Sequence, residues 1–437
     1  MKKKSNLKLL FLIFLVALLL RITFFDTSYF FWDETVYIMN SQFIVEGKAP
    51  YVQVYDRPIL LPLLIAPFYK SEILLRSSMI FLNSLMVFAV YFLGRNFNEK
   101  TGLISAFIIA IFPFHIMASR WVMTDSLAAL LICMSLALYL SGIKKNSFLL
   151  YGLGGLFLGL SILMKFTSVL VIGVLVVLFF LFKLDFKKIV FSFLCALLSV
   201  LPFMIFSKQY FGGYFFIIIK AINAVVLYDP INFIVVIFNI FLFFGFIIFF
   251  ALINKSKNRK LNYLMLFWLA LGLGYFPLLS QRGIAKPEGI EWEMQRFLFP
   301  ALVPAVILAS SFLSRMERKK AYICFFFILL SFIPMYKIAY IPMIGFENGL
   351  REVSKEIGIY ASENLETDAQ ILATKNYPSI AYYSGKKTSN KIEELDKTKK
   401  IYVMIIEKNS EKINNNALYY LERNGYRATI SVYRADV

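Results

Sequence analysis

Two neighbouring acids, Asp33 and Glu34, are the first residues in this chain whose type and position could support catalysis. They lie in the segment 26–76, between the first two long apolar runs. Because consecutive side chains on a helix point about 100° apart, both carboxylates rarely serve one reacting atom. One could act as a general base, while the other braces it or binds a metal ion. The pair is equally explained as polar residues at the membrane interface, or as acids near a helix N-terminus, where the helix dipole favours negative charge.

Two more acids, Asp56 and Asp125, extend the candidate site. Together with Asp33 they could supply the oxygen ligands that a hard divalent cation requires. Asp125 lies between Thr124 and Ser126, at the start of an apolar run, so it could instead cap the N-terminus of a helix. Both interpretations stay open, and a divalent cation is a possible cofactor rather than a required one.

Three cations, Arg57, Lys165 and Arg296, could bind an anionic group. Arginine suits oxyanions because its guanidinium makes bidentate contacts. A cation at the end of a membrane helix also commonly extends its charge to the interface without binding a ligand. The aromatic residues of the first loop, including Tyr37 and Tyr55, fit either stacking on a ligand or an interfacial aromatic belt.

Histidine and cysteine exclude several kinds of metal site. The single histidine, His115, rules out a zinc site that needs two or three imidazoles. The three cysteines, Cys133, Cys195 and Cys324, lie inside apolar runs and show no metal-ligand spacing. His115 could contact a ligand, although a lone histidine at a helix end is more often structural.

The elements that must position these residues are membrane helices. Of the 437 residues, 59% are hydrophobic and 17% are charged, whereas soluble domains carry about 25% charged residues. A spanning helix needs about 20 apolar residues, with about 17–25 tolerated. Runs of this kind occur at about 7–25, 77–94, 102–118, 126–143, 148–164, 166–182, 189–207, 231–253, 261–280, 297–314 and 321–342. The sequence therefore predicts an α-helical polytopic membrane protein with about eleven spans.

Two charged residues refine this prediction. Lys165 lies in the middle of the apolar stretch 148–182, and a charge in hydrocarbon is costly. We therefore expect two short helices, with Lys165 in water at the tip between them. The first run follows three lysines, as a signal peptide would, but no small-residue cleavage site follows it and Arg21 comes next. We predict an uncleaved first helix.

The net charge of +19 is mainly a consequence of orientation in the membrane. If the N-terminus is cytoplasmic and the spans alternate, the short cytoplasmic segments hold 19 of the 46 Lys and Arg residues and three of the 27 Asp and Glu residues. This is the excess that the positive-inside rule describes. The charge gives no separate support for nucleic-acid binding. We predict a multi-pass plasma-membrane protein whose functional face is the outer one, where most of the remaining acids lie.

The C-terminal residues 343–437 differ in composition from the rest and are predicted to form a small extracytoplasmic α/β domain. Apolar residues spaced three and four apart over 349–365 indicate a helix. Of the later segments, strands are predicted at Ile371 to Ala373, Ile401 to Ile406 and Arg427 to Tyr433, and a helix at Asn414 to Asn424. The predicted membrane domain is then 1–342, with 26–76 as its first outer loop.

Several short motifs, in order along most of the chain, resemble those of the GT-C glycosyltransferases. The resemblance is greatest to the branch of the protein O-mannosyltransferases and the lipid A aminoarabinose transferase. The motifs are Trp32-Asp33-Glu34-x-x-Tyr37, Gly47-x-x-Pro50-Tyr51, Asp56-Arg57-Pro58, Thr124-Asp125-Ser126, Leu163-Met164-Lys165, Glu293-x-x-Arg296-Phe-Leu-Phe-Pro300 and Ile380-Ala-Tyr-Tyr-Ser-Gly385. A second proline commonly follows the cation-Pro pair in that family, whereas Ile59 follows it here.

The resemblance implies transfer of a sugar from a polyprenyl-phosphate donor, embedded in the bilayer, to a hydroxyl of a protein, lipid or glycan. Asp33 would take the proton from the acceptor hydroxyl, which attacks the anomeric carbon with inversion. Arg57, Lys165 and Arg296 would hold the leaving phosphate. Some GT-C branches bind a divalent cation with two outer-loop acidic motifs, whereas the mannosyltransferase branch needs no metal.

A transporter or flippase for lipid-linked sugars is the alternative from another functional class. Transport favours charges near the bilayer midplane and interrupted helices inside the bundle. In this sequence the apolar runs are nearly uncharged and the acids gather on one face, which favours chemistry over passage.

Overall fold

The computed structural model describes residues 2–23, 32–47, 57–216, 233–284, 296–345, 348–396, 398–408, 419–423 and 426–432. Contacts divide the chain into two compact units. The helical unit comprises Met1–Phe25, Tyr55–Leu61 and Leu75–Ala339. The sheet unit comprises Asp26–Val54, Pro62–Leu74 and Tyr340–Val437. Parts of the first loop thus group with the C-terminal residues, while the domain bounds 1–342 and 343–437 stay a prediction.

Helices dominate the described residues. In chain order they are α1 (Lys2–Thr23), α2 (Trp32–Val45), α3 (Leu60–Ile65), α4 (Glu72–Ser84), α5 (Met86–Gly94), α6 (Glu99–Ile111), α7 (Pro113–Ala118), α8 (Asp125–Lys145), α9 (Phe148–Met164), α10 (Val171–Phe182), α11 (Phe186–Phe211), α12 (Phe233–Phe244), α13 (Phe246–Leu252), α14 (Arg259–Ile284), α15 (Phe299–Arg315), α16 (Arg318–Gly345), α17 (Asn348–Asn364) and α18 (Tyr377–Ser384). The prediction of a mainly helical protein is confirmed.

Four helical segments of the described chain are long and apolar enough to cross a bilayer: Asn6–Thr23, Glu72–Gly94, Asp125–Lys145 and Phe186–Phe211. Other predicted runs contain shorter or interrupted helices, so the count of eleven spans stays a prediction. The run 102–118 shows the cause. Phe112 precedes Pro113 and adopts an extended backbone, which separates α6 from α7.

Small residues bring α9 against α11 in the helical unit. A Cβ atom added to Gly155 would lie 2.0 Å from the Ser192 carbonyl oxygen, and one added to Gly159 would lie 2.5 Å from the Ala196 carbonyl oxygen. Only glycine allows this approach of the two backbones. The spacing Gly155-x-x-x-Gly159 is the small-residue pattern that membrane helices use for close packing.

The sheet unit contains a five-stranded sheet of order β2-β1-β3-β5-β4. Its strands are β1 (Gln370–Ala373), β2 (Thr388–Ser389), β3 (Ile401–Lys408), β4 (Tyr419–Arg423) and β5 (Tyr426–Val432). β1 pairs in parallel with β2 and β3, whereas β5 pairs antiparallel with β3 and β4. Val353, Ile357 and Ala361 of α17 join the apolar core with alternate strand residues, as the helical spacing predicts.

One predicted element of this unit is wrong. The sequence predicts a helix at Asn414 to Asn424, but Tyr419–Arg423 is strand β4, paired with β5 from Tyr419↔Ile430 to Arg423↔Tyr426. The Asn-Gly dipeptide at 424–425 is a typical hairpin signal in a sequence, and this signal outweighs a weak helical spacing. The short elements α18 and β2 were not predicted.

Candidate active site

Asp125 and Lys165 form an ion pair in the helical unit, between the carboxylate Oδ1 and Nζ. Lys165 lies where α9 ends, and its extended backbone separates α9 from a 3₁₀ turn at Phe166–Leu170 and then α10. The predicted helix break at Lys165 is therefore confirmed. Its ammonium is not in open water, however, because 82% of the side chain is covered and the charge is balanced by Asp125.

Asp125 is not the N-cap of α8. The capping position belongs to Thr124, whose side chain makes no capping hydrogen bond, and Asp125 is the first helical residue. Its carboxylate lies in the turn where the helix dipole favours a negative charge. Asp125 thus begins the helix and holds the cation at the end of α9.

A small cavity of about 30 Å³ adjoins this ion pair, with room for a water-sized group. Ser168, Trp268, Gly272 and Pro300 also line it. The indole Nε1 of the fully buried Trp268 has no hydrogen-bond acceptor among the described residues. An acid and a cation therefore line this cavity together with the Trp268 ring.

Arg296 lies near the start of α8 in the same unit. It begins a 3₁₀ turn, Arg296–Leu298, and its Nη1 lies 3.9 Å from the sulfur of Met123, two residues before Asp125. Pro300, four residues later, lines the cavity beside Asp125 and Lys165. Arg57, also half-buried and in this unit, precedes α3.

A buried polar chain that the sequence did not reveal joins α1, α7 and α8. The fully buried Arg21 donates to the carbonyls of Ala17 at 2.8 Å and Ala110 at 3.1 Å, and its Nη2 lies 2.5 Å from Nδ1 of His115. Nε2 of His115 is 2.9 Å from the hydroxyl of Ser126. Since arginine only donates, Nδ1 is the acceptor, and Nε2–H donates to Ser126.

His115 therefore has a structural position, as the commoner interpretation of a lone histidine suggests. The signal available in the sequence was Arg21, a charge at the end of an apolar run. Such a residue requires partners when it is buried, but nothing in its spacing identified His115, which lies 94 residues away.

In the sheet unit, α2 presents the acidic pair in unequal environments. Asp33 is partly exposed, whereas Glu34 is completely buried. Tyr37 is buried one turn later. Consecutive positions on one helix thus separate the two carboxylates, as the 100° rotation per residue predicts.

Contacts with α18 hold the start of α2 in place within the sheet unit. The ring of Trp32 packs edge-on against Tyr377, with 4.8 Å between the ring centroids. The hydroxyl of Ser379 donates to that of Thr35 at 3.4 Å. The residues on either side of the acidic pair, Trp32 and Thr35, are therefore both held by α18.

Two of the proposed site residues, Tyr55 and Asp56, lie outside the residues that the structure describes. Within the described ranges, no three His, Cys, Asp or Glu side chains gather as metal ligands do. The metal site proposed for Asp33, Asp56 and Asp125 stays a prediction.

Comparisons with known proteins relate this chain to a protein family and to solved structures. The sequence model of the dolichyl-phosphate-mannose-protein mannosyltransferase family matches residues 56–211. Among solved structures, ArnT from Cupriavidus metallidurans bound to undecaprenyl phosphate aligns with a TM-score of 0.72 at 12% identity, over 97% of this chain and 98% of ArnT. This chain has the GT-C glycosyltransferase fold. The resemblance inferred from the motifs is thereby confirmed, and the chain is a multi-pass membrane protein.

A second GT-C protein is similar at lower coverage. The archaeal oligosaccharyltransferase AglB from Archaeoglobus fulgidus, in complex with an inhibitory peptide and a dolichol-phosphate, aligns with a TM-score of 0.62 at 16% identity. The alignment covers 89% of this chain and 64% of AglB. No curated protein matches the sequence. Of the proposed GT-C site residues, Arg57, Asp125 and Lys165 fall within the family match, whereas Asp33 and Arg296 lie outside it.

Proposed function

We propose that this protein is a membrane glycosyltransferase that moves a sugar from a polyprenyl-phosphate donor to a hydroxyl acceptor. The observation that carries this proposal is the correspondence with ArnT over nearly the whole of both chains, since that ArnT structure contains undecaprenyl phosphate. AglB, which shares the fold, was captured with a dolichol-phosphate. The family match over 56–211 supports the same class of donor.

Asp33 is our candidate for the general base. Its carboxylate accepts the proton of the acceptor hydroxyl, while the hydroxyl oxygen bonds to the anomeric carbon of the sugar. The bond from that carbon to the phosphate oxygen breaks, polyprenyl phosphate leaves, and the configuration inverts. The partial exposure of Asp33 supports this role. Glu34 is buried, which suits a bracing role on α2.

Lys165 and Arg296, with Arg57, are our candidates for stabilising the leaving phosphate. Charge-assisted contacts to a phosphate strengthen as negative charge develops on the leaving oxygen. The ion pair with Asp125 supports this assignment, because it fixes the Lys165 ammonium at a defined point. Asp125 thus has a positioning role in the proposal.

The proposed orientation places the N-terminus in the cytoplasm and the C-terminal domain outside it. The transfer would take place at the outer leaflet, where the donor keeps its tail in the bilayer. The acceptor is a hydroxyl of a protein, a lipid or a cell-surface glycan.

The activity is tested with purified full-length protein in liposomes that contain a polyprenyl-phosphate donor with a labelled sugar. A panel of donor sugars is combined with candidate acceptors, and both released polyprenyl phosphate and labelled product are measured. Transfer predicts equal amounts of the two, formed only when protein and acceptor are present.

The same liposomes test the flippase alternative. A flippase would move intact labelled donor between leaflets and release no polyprenyl phosphate. Intact donor crossing the bilayer, with no cleavage under any donor and acceptor pair, would contradict the proposal.

A further inference from the structure

A long apolar groove lies at the end of the helical unit where α1, α6 and α16 begin and α15 ends. It encloses about 450 Å³. Leu12 and Val16 of α1, Ile104 and Phe107 of α6, and Phe325 of α16 line its walls. The apolar lining follows each helix for about two turns.

Two cations border this groove at one end. Lys100 is the second residue of α6 and Arg318 is the first residue of α16, and both side chains line the groove and are exposed. Both helices also direct their N-termini, the positive ends of their dipoles, toward this end. Lys100 donates from Nζ to the carbonyl of Ser314 at 3.2 Å, which holds its charge near the end of α15.

The acids beside these cations have other partners. Glu99 accepts the hydroxyl of Tyr91 at 2.7 Å, and Glu317 pairs with Lys320 at 3.1 Å. The end of the groove therefore keeps a positive character. An apolar channel with charge at one end complements an amphiphile that has an anionic headgroup and a hydrocarbon tail.

The dimensions suit a lipid chain in one half of a bilayer. Lys100 and Phe107 are seven residues apart on α6, which corresponds to about 10 Å along the helix. The groove thus extends from charged residues along apolar helix faces, over a length that part of an acyl chain would occupy. Concavity and the two bordering cations distinguish it from the other exposed apolar surfaces of α1 and α16.

The groove is remote from the candidate active site in the helical unit. Lys100 lies at the start of α6, whereas His115 follows the other end of α6 and contacts Ser126, the neighbour of Asp125. The length of α6 separates these two ends by about 18 Å. In the proposed orientation the groove also lies on the cytoplasmic side, where anionic inner-leaflet lipids attract cations. An anionic structural lipid suits this location better than the sugar donor does.

We propose that this groove is a binding site for one anionic glycerophospholipid, with its phosphate between Lys100 and Arg318 and an acyl chain along α1, α6 and α16. The bound lipid joins three helices that enclose the groove, so it stabilises the helical unit at its cation-rich end.

Native mass spectrometry of the purified full-length protein tests this site. The protein is equilibrated in micelles that contain equal amounts of phosphatidylglycerol and phosphatidylcholine with identical acyl chains. We expect wild type to retain one phosphatidylglycerol, preferred about 30-fold over phosphatidylcholine from two cation contacts. The double variant Lys100→Gln/Arg318→Gln should lose this preference.

Two further variants separate charge from shape. Lys257→Gln/Arg259→Gln removes two exposed cations from the same side of the unit outside the groove and should keep the preference. Ala321→Trp fills the groove and leaves both cations, so it should lose the retained lipid while remaining monodisperse with an unchanged helical circular dichroism spectrum.

Three outcomes would overturn the proposal. Equal retention of the two phospholipids by wild type would indicate ordinary surrounding lipid. A preference that persists in the Lys100→Gln/Arg318→Gln variant would place the lipid elsewhere. Displacement of phosphatidylglycerol by an equal amount of undecaprenyl phosphate, with the same dependence on the two cations, would assign the groove to the donor lipid.

Discussion

At the residue scale, the central feature of the helical unit is the ion pair between Asp125 and Lys165. Each charge alone would be costly among apolar helices, and together they balance. The sequence predicted that a helix break would occur at Lys165, because charge and apolar context are local properties. It did not predict the partner, because Asp125 is 40 residues away and only the packing of α8 against α9 brings them together.

Replacement of Asp125 by Asn should destabilise the helical unit. The change leaves the Lys165 ammonium covered without its counter-charge, and breaking a buried pair costs up to about 3–5 kcal/mol. Partial exposure of Lys165 places the expected loss toward the lower value. Thermal unfolding in detergent should show a lower Tm for Asp125→Asn, with partial recovery in Asp125→Asn/Lys165→Met. An unchanged Tm in the single variant would show that the pair carries no such energy.

A second residue-scale network, in the sheet unit, predicts pH dependence. Hydrogen bonds from Lys400 at 2.7 Å and Tyr402 at 2.7 Å lower the pKa of Glu366 from 4.5 to about 2. The hydrogen bond to Glu366 raises the pKa of Lys400 above its ordinary value. For Glu366 the stabilisation is complete above pH 4.5 and is lost as the pH falls toward 2.

Amide hydrogen exchange in the full-length protein measures this effect. After correction for intrinsic exchange rates, the protection of β1 and β3 should fall between pH 5 and pH 3 in wild type. Glu366→Gln should show a smaller fall over the same range, whereas Glu363→Gln, an exposed acid on α17, should behave like wild type. Equal pH dependence in all three proteins would remove the role of Glu366.

At the element scale, the contact of α9 with α11 depends on glycine. The motif Gly155-x-x-x-Gly159 was visible in the sequence, yet it gave no indication of which helix packs against it. The strands of the sheet unit differ in how well their own sequence predicted them. An apolar run predicted β3 and alternating apolar residues predicted β5, but β4 was missed because it forms through its pairing with β5 rather than through its own composition.

Gly155→Ala should weaken this helix packing. The added methyl group would lie 2.0 Å from the Ser192 carbonyl oxygen, so the helices must separate, and overpacking of this kind costs about 1–3 kcal/mol. Gly274→Ala on α14 is the matched control, since a Cβ there meets no atom within 4 Å. Thermal unfolding should show a clear fall in Tm for Gly155→Ala alone. Equal Tm values for both variants would contradict the close approach.

At the scale of the whole molecule, hydropathy and charge distribution indicated the membrane class, and ordered motifs indicated the GT-C fold that the comparison with ArnT confirms. The arrangement of the site was less accessible to sequence reasoning. Lys165, Asp125 and Trp268 line one cavity through contacts among α8, α10 and α14, and such contacts have no local sequence signature.

The distribution of charge also predicts the orientation of the protein in the membrane. The excess of Lys and Arg in alternate short segments places the N-terminus in the cytoplasm. Single-cysteine variants in a background without Cys133, Cys195 and Cys324 test it with a membrane-impermeant maleimide. Lys391→Cys should react in intact cells, and Lys257→Cys should react only after permeabilisation. The reverse labelling pattern would invert the proposed topology.

We propose that the protein transfers a sugar from a polyprenyl-phosphate donor with Asp33 as the base. The most direct test is the single-turnover rate of labelled-sugar transfer by wild type, Asp33→Asn and Glu46→Gln. Glu46→Gln is the matched control, because it converts an exposed acid after the C-terminal end of α2 to an amide. A positioned base contributes about 10²–10⁴-fold, so Asp33→Asn should be slower by that factor while Glu46→Gln keeps the wild-type rate. Transfer by Asp33→Asn at the wild-type rate would show that Asp33 is not the general base.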